Sequence, residues 1–314
     1  MPASRPFVGI VSPGAMGSAL GRTLRDGGSR VLVSLDGRSE RSRRLATEAG
    51  LEDVGSLDVL LREAAVVLSV VPPGSALEVA EAIAANAQTA MPLVADLNAV
   101  APATAERIAT TLREAGLDMV DGSISGPPPR EAGTTRVYLS GPRAAEVAAL
   151  PLDGVQRVVV GDDVGLASAV KMCTASVYKG RVALLAQALR TAHAHGVVEH
   201  VLDDLVEAGL ADPERTGETL ARASAKAWRY VAEMEEIAQT QDAAGLRKDL
   251  FAALAIVYGD LAAAAVDGVP EEVLDTVSLD AVLDRFAAAR TVPDGVPSGT
   301  PVGAPSGRRL GRAR

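Results

Sequence analysis

Phe7-Val-Gly-Ile-Val-Ser-Pro-Gly-Ala-Met-Gly17 decides the fold. An apolar run too short for a helix meets a Ser-Pro-Gly turn. An amphipathic segment follows and ends at Gly27. Such a run bounded by Pro and Gly reads as a strand, and the segment after it as a helix. A strand, a tight turn and a helix whose first N–H groups face the turn form an anion site. Gly14 would let a phosphate approach the backbone, and Gly17 would let the helix pack closely on the strand. Ser12 stands where the first glycine of Gly-x-Gly-x-x-Gly belongs, so the motif is partial. Its position straight after the first strand strengthens it. Ser12, Gly14, Ala15, Met16 and Gly17 are therefore read as the pyrophosphate loop of a dinucleotide.

Outward from that loop, short apolar runs alternate with amphipathic segments as far as Val160. Strands are expected at Phe7–Val11, Arg30–Leu35, Val66–Val71, Pro92–Leu97, Met119–Ser123, Arg136–Leu139 and Val155–Val160. Several are valine-rich and read as buried on both faces, as parallel strands are. Ser75-Ala-Leu-Glu78 resembles a capping box. Pro102 opens a helix that Gly116 would close, and Gly50 closes another. The alternation predicts an α/β class with a Rossmann doubly wound sheet.

The second strand ends at Leu35-Asp36-Gly37-Arg38-Ser39, about 20 residues beyond the loop, where a ribose-reading residue belongs. Asp36 suits the 2′-hydroxyl of NAD. Arg38 and Ser39 suit the 2′-phosphate of NADP, which an aspartate would repel. The reading leans to NADP, with NAD as the alternative.

The pattern changes at Asp162. Gly165 to His195 carries no proline and no strand signal, and its apolar residues do not keep to one stripe. A helix of that kind is usually buried all round, which suggests a long central helix wrapped by other helices of this chain or of a partner subunit. Further helix is expected at Leu202–Ala208, Pro213–Thr240, Gly245–Asp267 and Glu271–Ala289. The expected division is a Rossmann domain over 1–162, an all-α C-terminal domain over 163–290 for substrate and dimerisation, and a disordered tail over 291–314.

Composition narrows the function. The chain has 314 residues, and its net charge of −9 argues against nucleic acid. The basic run Arg308, Arg309, Arg312 and Arg314 lies in a Pro/Gly/Ser tail. Hydrophobic residues make up 48% and aromatics 3%, so the core must rest on Ala, Val and Leu. No membrane span and no leader segment are expected, and the cytoplasm is the expected location. With Cys173 as the one cysteine there is no disulfide framework or cysteine metal cluster; it reads as a small core residue. His193, His195 and His200 read as a solvated helix end rather than a metal site. Trp228, Tyr230 and Met234 read as helix packing. Glu233, Glu235 and Glu236 read as a solvated run, one of which could line a cleft. Arg130 reads as a surface arginine or an anion contact. Surplus apolar surface on the helices predicts a homodimer.

Of 31 cations only Lys171, Lys179, Lys226 and Lys248 are lysines. Lys171 falls early in the apolar helix, with Thr174, Ala175 and Tyr178 on its face. An ammonium there is costly unless it meets a cleft or a partner, and a lysine can carry protons. Two readings stand: a proton donor or acceptor in an interdomain cleft, or a lysine reaching for solvent.

Four segments in order resemble the β-hydroxyacid dehydrogenase superfamily, which includes 3-hydroxyisobutyrate and 6-phosphogluconate dehydrogenases. Ser12–Gly17 is similar to its Gly-x-Gly-x-Met-Gly loop. Asp121-Gly-Ser-Ile-Ser-Gly126 is similar to its Asp-x-x-x-Ser-Gly-Gly substrate segment. Gly165 with Lys171 is similar to its Gly…Lys-x-x-Asn-Asn segment, and Lys248-Asp-Leu250 to a late Lys-Asp-Leu. The resemblance implies that Lys171 is the catalytic acid/base and that Ser125 and Gly126 hold a substrate carboxylate. It puts Val71, Pro72, Asn98 and Lys248 near the nicotinamide; Thr174 and Tyr178 would complete the substrate pocket. Pro127 replaces the second glycine and removes an N–H donor. Thr174-Ala175 replaces the asparagine pair. The implied reaction is hydride transfer between NAD(P) and a small hydroxy or keto acid. Imine reduction on the same scaffold and a non-catalytic NADP sensor are the alternatives.

Overall fold

The computed structural model describes residues 7–87, 91–265 and 277–289. The expected tail over 291–314 and most of the first half of the helix expected over Glu271–Ala289 lie outside the described residues. Eight strands form one sheet: β1 (Val8–Val11), β2 (Val31–Val33), β3 (Glu52–Asp53), β4 (Val66–Ser69), β5 (Leu93–Asp96), β6 (Met119–Ser125), β7 (Arg136–Ser140) and β8 (Gln156–Gly161). Their spatial order is 3-2-1-4-5-6-7-8. All neighbours run parallel except β6 and β7, which pair antiparallel. The chain order reverses between β1 and β4, and a doubly wound sheet opens a crevice at that point.

The alternation of side chains along each strand builds the two faces. Val8 and Ile10 pack with Leu20 and Leu24 on one face; Val11 and Val67 pack with Leu60, Ile83 and Ile108 on the other. The helices that cover them are α1 (Ala15–Asp26), α2 (Glu40–Ala49), α3 (Leu57–Glu63), α4 (Ala76–Ala87), α5 (Pro102–Glu114) and the short α6 (Ala144–Ala148). Ile10, Leu20, Leu60 and Ile108 are almost wholly buried, each contributing about 1.5–3 kcal/mol by area.

The sheet ends at Gly161 and an all-helical region follows: α7 (Leu166–His195), α8 (Val198–Glu207), α9 (Thr216–Ala243), α10 (Asp249–Ala263) and α11 (Leu279–Ala288). Met172, Leu189, Leu220, Ile237, Tyr258 and Phe286 form its core. The architecture is thus an N-terminal Rossmann sheet followed by helices, as the periodicity predicts.

Four expectations need correction. β3 is missed by sequence: two exposed acidic residues carry no apolar signal, and pairing with β2 defines them. β8 is not buried on both faces, because it is the outer strand and leaves Val159 45% exposed. The long helix α7 is not covered all round: within one chain Val177, Tyr178 and Leu184 stand open. Cys173 is exposed on that helix rather than in the core.

Candidate active site

The loop after β1 has the shape its glycines predict. Ser12 takes φ +69°, a left-handed conformation that glycine adopts freely and serine does not. The position therefore calls for a glycine's conformation even though a serine occupies it. A Cβ on Gly17 would come 2.7 Å from the Ser12 carbonyl oxygen, so α1 lies against the loop backbone. A Cβ on Gly14 would meet nothing within 4 Å, so the backbone at the head of α1 is open to a ligand. No side chain caps that helix start. A dinucleotide pyrophosphate fits this cradle, since unpaired N–H groups and the helix dipole both favour an anion.

Two cavities flank the loop. A small one of about 140 Å³ lies at the end of β2 and is lined by Ser34, Asp36 and Arg38 over Ile10 and Leu60. This is where a ribose-reading pair was expected. Ser39 does not line it; its hydroxyl accepts the Ser42 N–H at 3.3 Å and caps α2.

The large cleft, about 720 Å³, is roofed by the helical region. Its sheet side holds Ser12, Gly14, Ala15, Met16 and Gly17, then Val71, Pro72 and Asn98. Asn98 is fixed from several sides. Its Oδ1 accepts the Val71 N–H at 2.7 Å, and its Nδ2 donates to Asp96 Oδ2 at 2.8 Å and Ser69 Oγ at 3.1 Å. Asp96 is buried, and burial pushes its carboxyl up to about 7 against the two Asn98 donors.

Lys171 lines the same cleft, and its Nζ donates to the Ile124 carbonyl at 2.8 Å. The Asp121 carboxylate sets that geometry. It accepts the N–H groups of Gly165 and Ser168 and the hydroxyls of Ser168 and Ser140. Asp121 thus anchors the first turn of α7 to β6, although the resemblance puts it in a substrate segment. Gly126 also lines the cleft, with φ +106° and no room for a Cβ against Thr134 O. Pro127, Pro128 and Arg130 follow on the same wall.

Other expected residues lie elsewhere. Ser125 is paired in the sheet with Arg136 and is not among the cleft lining. The Thr174 hydroxyl donates to Val170 and Lys171 carbonyls of its own helix. Tyr178 is 68% exposed. Lys248 pairs with Asp242 at 3.4 Å and stands in solvent, away from the cleft.

The residues that sequence reading missed come from α9. Arg222, Lys226, Arg229, Tyr230 and Glu233 line the cleft, spaced as one helical stripe, with Trp228 beside them. That spacing was visible in the sequence, but nothing there said which face met the sheet. Trp228 and Tyr230 are cleft residues rather than packing alone; Met234 is packing. The acidic run is likewise divided. Glu233 is 4% exposed and ion-paired to Lys179, whose ammonium sits 4.0 Å from the Tyr230 ring centre. Burial lowers the Lys179 ammonium to about 8, against the pull of Glu233. Glu236 accepts the Ala101 N–H at 2.6 Å and the Thr104 hydroxyl at 2.8 Å, tying α9 to the start of α5. His193 lies 3.4 Å from Asp284. Among the described residues no cluster of His, Cys, Asp or Glu gathers at ligating distance, and no helix is long and apolar enough to cross a membrane.

Five cations and two carboxylates line the cleft of a chain with net charge −9, so the local field favours anions. Residues 7–152 match the NAD-binding domain of 6-phosphogluconate dehydrogenase, and residues 192–261 match a domain of unknown function, DUF1932. A solved protein, MTH1747, described as structurally similar to 3-hydroxyacid dehydrogenases, is 29% identical with a TM-score of 0.59, covering 81% of this chain and 96% of its own. The fold also matches 3-hydroxyisobutyrate dehydrogenase of Mycobacterium tuberculosis, at 18% identity and TM-score 0.65 over 89% of this chain and 98% of that one. An imine reductase of Myxococcus stipitatus solved with NADP+ shares the fold at 19% identity and TM-score 0.53, over 90% of this chain and 100% of its own. The glycine cradle, the sheet order and these matches together support the β-hydroxyacid dehydrogenase superfamily: residues 7–152 match the NAD-binding domain of one member, and the fold is that of 3-hydroxyacid dehydrogenases.

Proposed function

We propose that the protein interconverts a small hydroxy acid and its keto acid, using NADP(H), with Lys171 as the acid/base. One observation carries this reading: the Lys171 ammonium and the Gly14 loop line a single cleft. Bound nicotinamide would supply or accept the hydride; the chain's own residues do the rest. Gly14, Ala15 and Met16 would hold the pyrophosphate, and Arg38 the 2′-phosphate. Asn98 keeps the Val71 backbone in place at the part of the cleft where the nicotinamide ring would lie. Lys171 spends one N–H on Ile124 O and has two left for the substrate oxygen. As the neutral amine, with its lone pair toward the substrate, it would take the hydroxyl proton in oxidation; as the ammonium it would give one in reduction. Gly126, Arg130 and the α9 cations would hold the acid group.

The test is NADPH consumption with a panel of keto acids. Lys171→Ala should lose about 10²–10⁴ in kcat while keeping its affinity for NADPH. A variant that turns over normally excludes the role. A chain that binds NADPH and reduces nothing in the panel would be a sensor instead.

Imine reduction is the second reading. Pro127 and Pro128 line the cleft without N–H donors, which makes that wall a poor carboxylate seat. Cyclic imines added to the same panel separate the two.

We also propose a homodimer through α7. Val177 and Leu184 lie seven residues apart on one stripe, both at least 60% exposed. Sedimentation of the wild type and of a Val177→Glu, Leu184→Glu variant tests it. A monomeric wild type would refute it.

A further inference from the structure

Glu233 is a buried carboxylate in the cleft wall that the proposed chemistry does not use. It is 4% exposed, it lines the cleft, and only one of its oxygens is matched. Oε2 pairs with Lys179, which also sits on the face of Tyr230. Oε1 is buried and meets no donor from the protein. A buried acceptor without a donor costs about as much as a lost hydrogen bond, and more when it is charged. Such a group at a cleft wall calls for a donor that arrives with the ligand.

The neighbours decide what kind of donor. Lys179 neutralises the carboxylate, and Lys171, two turns earlier on α7, and Arg229 on α9 both lie close enough to act on Lys179 electrostatically. A second cation brought to Oε1 would face three like charges. A neutral O–H donor would face none. Arg222 and Lys226, three and two turns earlier on the helix of Glu233, draw the acid group of the ligand away from Glu233. The ligand is therefore bifunctional, with an anion at one part of the cleft and a hydroxyl at another.

We propose that Glu233 Oε1 accepts a hydrogen bond from a second hydroxyl of the substrate, separate from the reacting one, and that it selects polyhydroxy acids over their deoxy analogues. This deepens the hydroxy-acid reading and rests on it. Glu233 is a specificity residue here and not the acid/base; its carboxylate is committed to the pair with Lys179.

The experiment titrates the full-length protein calorimetrically. The protein is first saturated with NADPH, with which a hydroxy acid cannot react. Two matched pairs, each differing by one hydroxyl, are compared: 3-hydroxypropionate against glycerate, and 3-hydroxybutyrate against 2,3-dihydroxybutyrate. The acid with the added hydroxyl should bind about tenfold tighter or more within at least one pair. Glu233→Gln should shrink that advantage to about threefold or less while its NADPH affinity and thermal unfolding report an intact fold. If that variant does not fold, Glu233→Asp, which withdraws the carboxylate by one methylene, is read in its place. Equal affinity within both pairs, or an advantage that survives the substitution, overturns the inference; solvent would then satisfy Oε1. The same holds if NADPH binds and no polyhydroxy acid does, and the hydroxy-acid reading can still stand on other substrates. If NADPH itself does not bind, the functional reading falls and this inference with it.

Discussion

Asp121 Oδ1 accepts the Ser168 hydroxyl at 2.7 Å, and Asp121 Oδ2 accepts the Ser168 N–H at 3.0 Å. The two residues bolt the first turn of α7 to β6, and Lys171 follows one turn later. Hydrogen bonds to a charged buried group are worth about 1.5–3 kcal/mol each and are not additive. Asp121→Asn presents an NH2 to groups that are themselves donors. It should cost about 2–4 kcal/mol, read as a fall in the urea midpoint at constant m. Catalysis should fall further than stability explains, because the Lys171 amine loses its fixed origin. NADPH affinity should hold. Unchanged stability would show that Asp121 does not anchor the helix.

The loop at Ser12 and Gly17 gives opposite expectations for two small changes. Ser12 pays for φ +69°, and Ser12→Gly relieves that at the expense of a looser unfolded chain. The net gain should be about 0.5–1 kcal/mol. Gly17→Ala puts a Cβ 2.7 Å from the Ser12 carbonyl oxygen, a backbone atom that cannot step aside. It should cost about 1–3 kcal/mol and weaken NADPH binding, because the cradle must open to admit the methyl. Calorimetric unfolding and NADPH titration of both variants check the pair.

Much of this was legible in the sequence. The alternation of apolar runs and helices announced the sheet, because buried parallel strands leave continuous valine-rich runs. The glycine loop and Lys171 were legible because a turn and a lone amine in an apolar helix are local signals. The α9 face was not. Arg222, Lys226 and Glu233 look like any solvated stripe until the packing of α9 against the turn after β4 and the start of α5 turns them inward. Lys248 fails for the opposite reason: a three-residue match carries no information on where the helix start points, and Asp242 holds it in solvent. Thr174 and Tyr178 share a helix face with Lys171, but the Thr174 hydroxyl turns back onto its own helix, and Tyr178, about 10 Å further along the axis, lies beyond the cleft lining.

Arg38 and Asp36 line one small cavity and pull cofactor choice in opposite directions. A charge-assisted hydrogen bond to phosphate is worth about 1.5–3 kcal/mol, or one to two decades in affinity. Arg38→Ala should weaken NADPH by about tenfold or more and leave NADH within about twofold. Asp36→Ala should do the reverse, favouring NADPH by removing a repelling charge. Fluorescence titration with both nucleotides checks this. A Arg38→Ala protein that weakens both equally would move the 2′-phosphate site elsewhere.

Asp96 makes stability depend on pH in a direction unusual for a carboxylate. Burial raises it to about 7 from an ordinary 3.8, and the nearby Asp121 charge acts in the same sense. Between those two values the folded chain keeps the Asp96 proton and the unfolded chain has lost it. The folded state therefore binds more protons there, and its stability falls as pH rises through that window. Above about pH 7 both states are ionised and the decline stops. A shift of this size corresponds to about 4 kcal/mol across the window. Asp96→Asn cannot ionise, so it should lack this decline and gain on the wild type from about pH 5 to about pH 7.5. Other groups titrate in the same range, so the quantity to measure is the difference between the two proteins in urea midpoint at each pH. A difference that stays constant would mean that the Asn98 donors hold Asp96 ionised throughout. In that case the Val71 and Asn98 scaffold in the cleft wall would rest on a charged anchor rather than a neutral one.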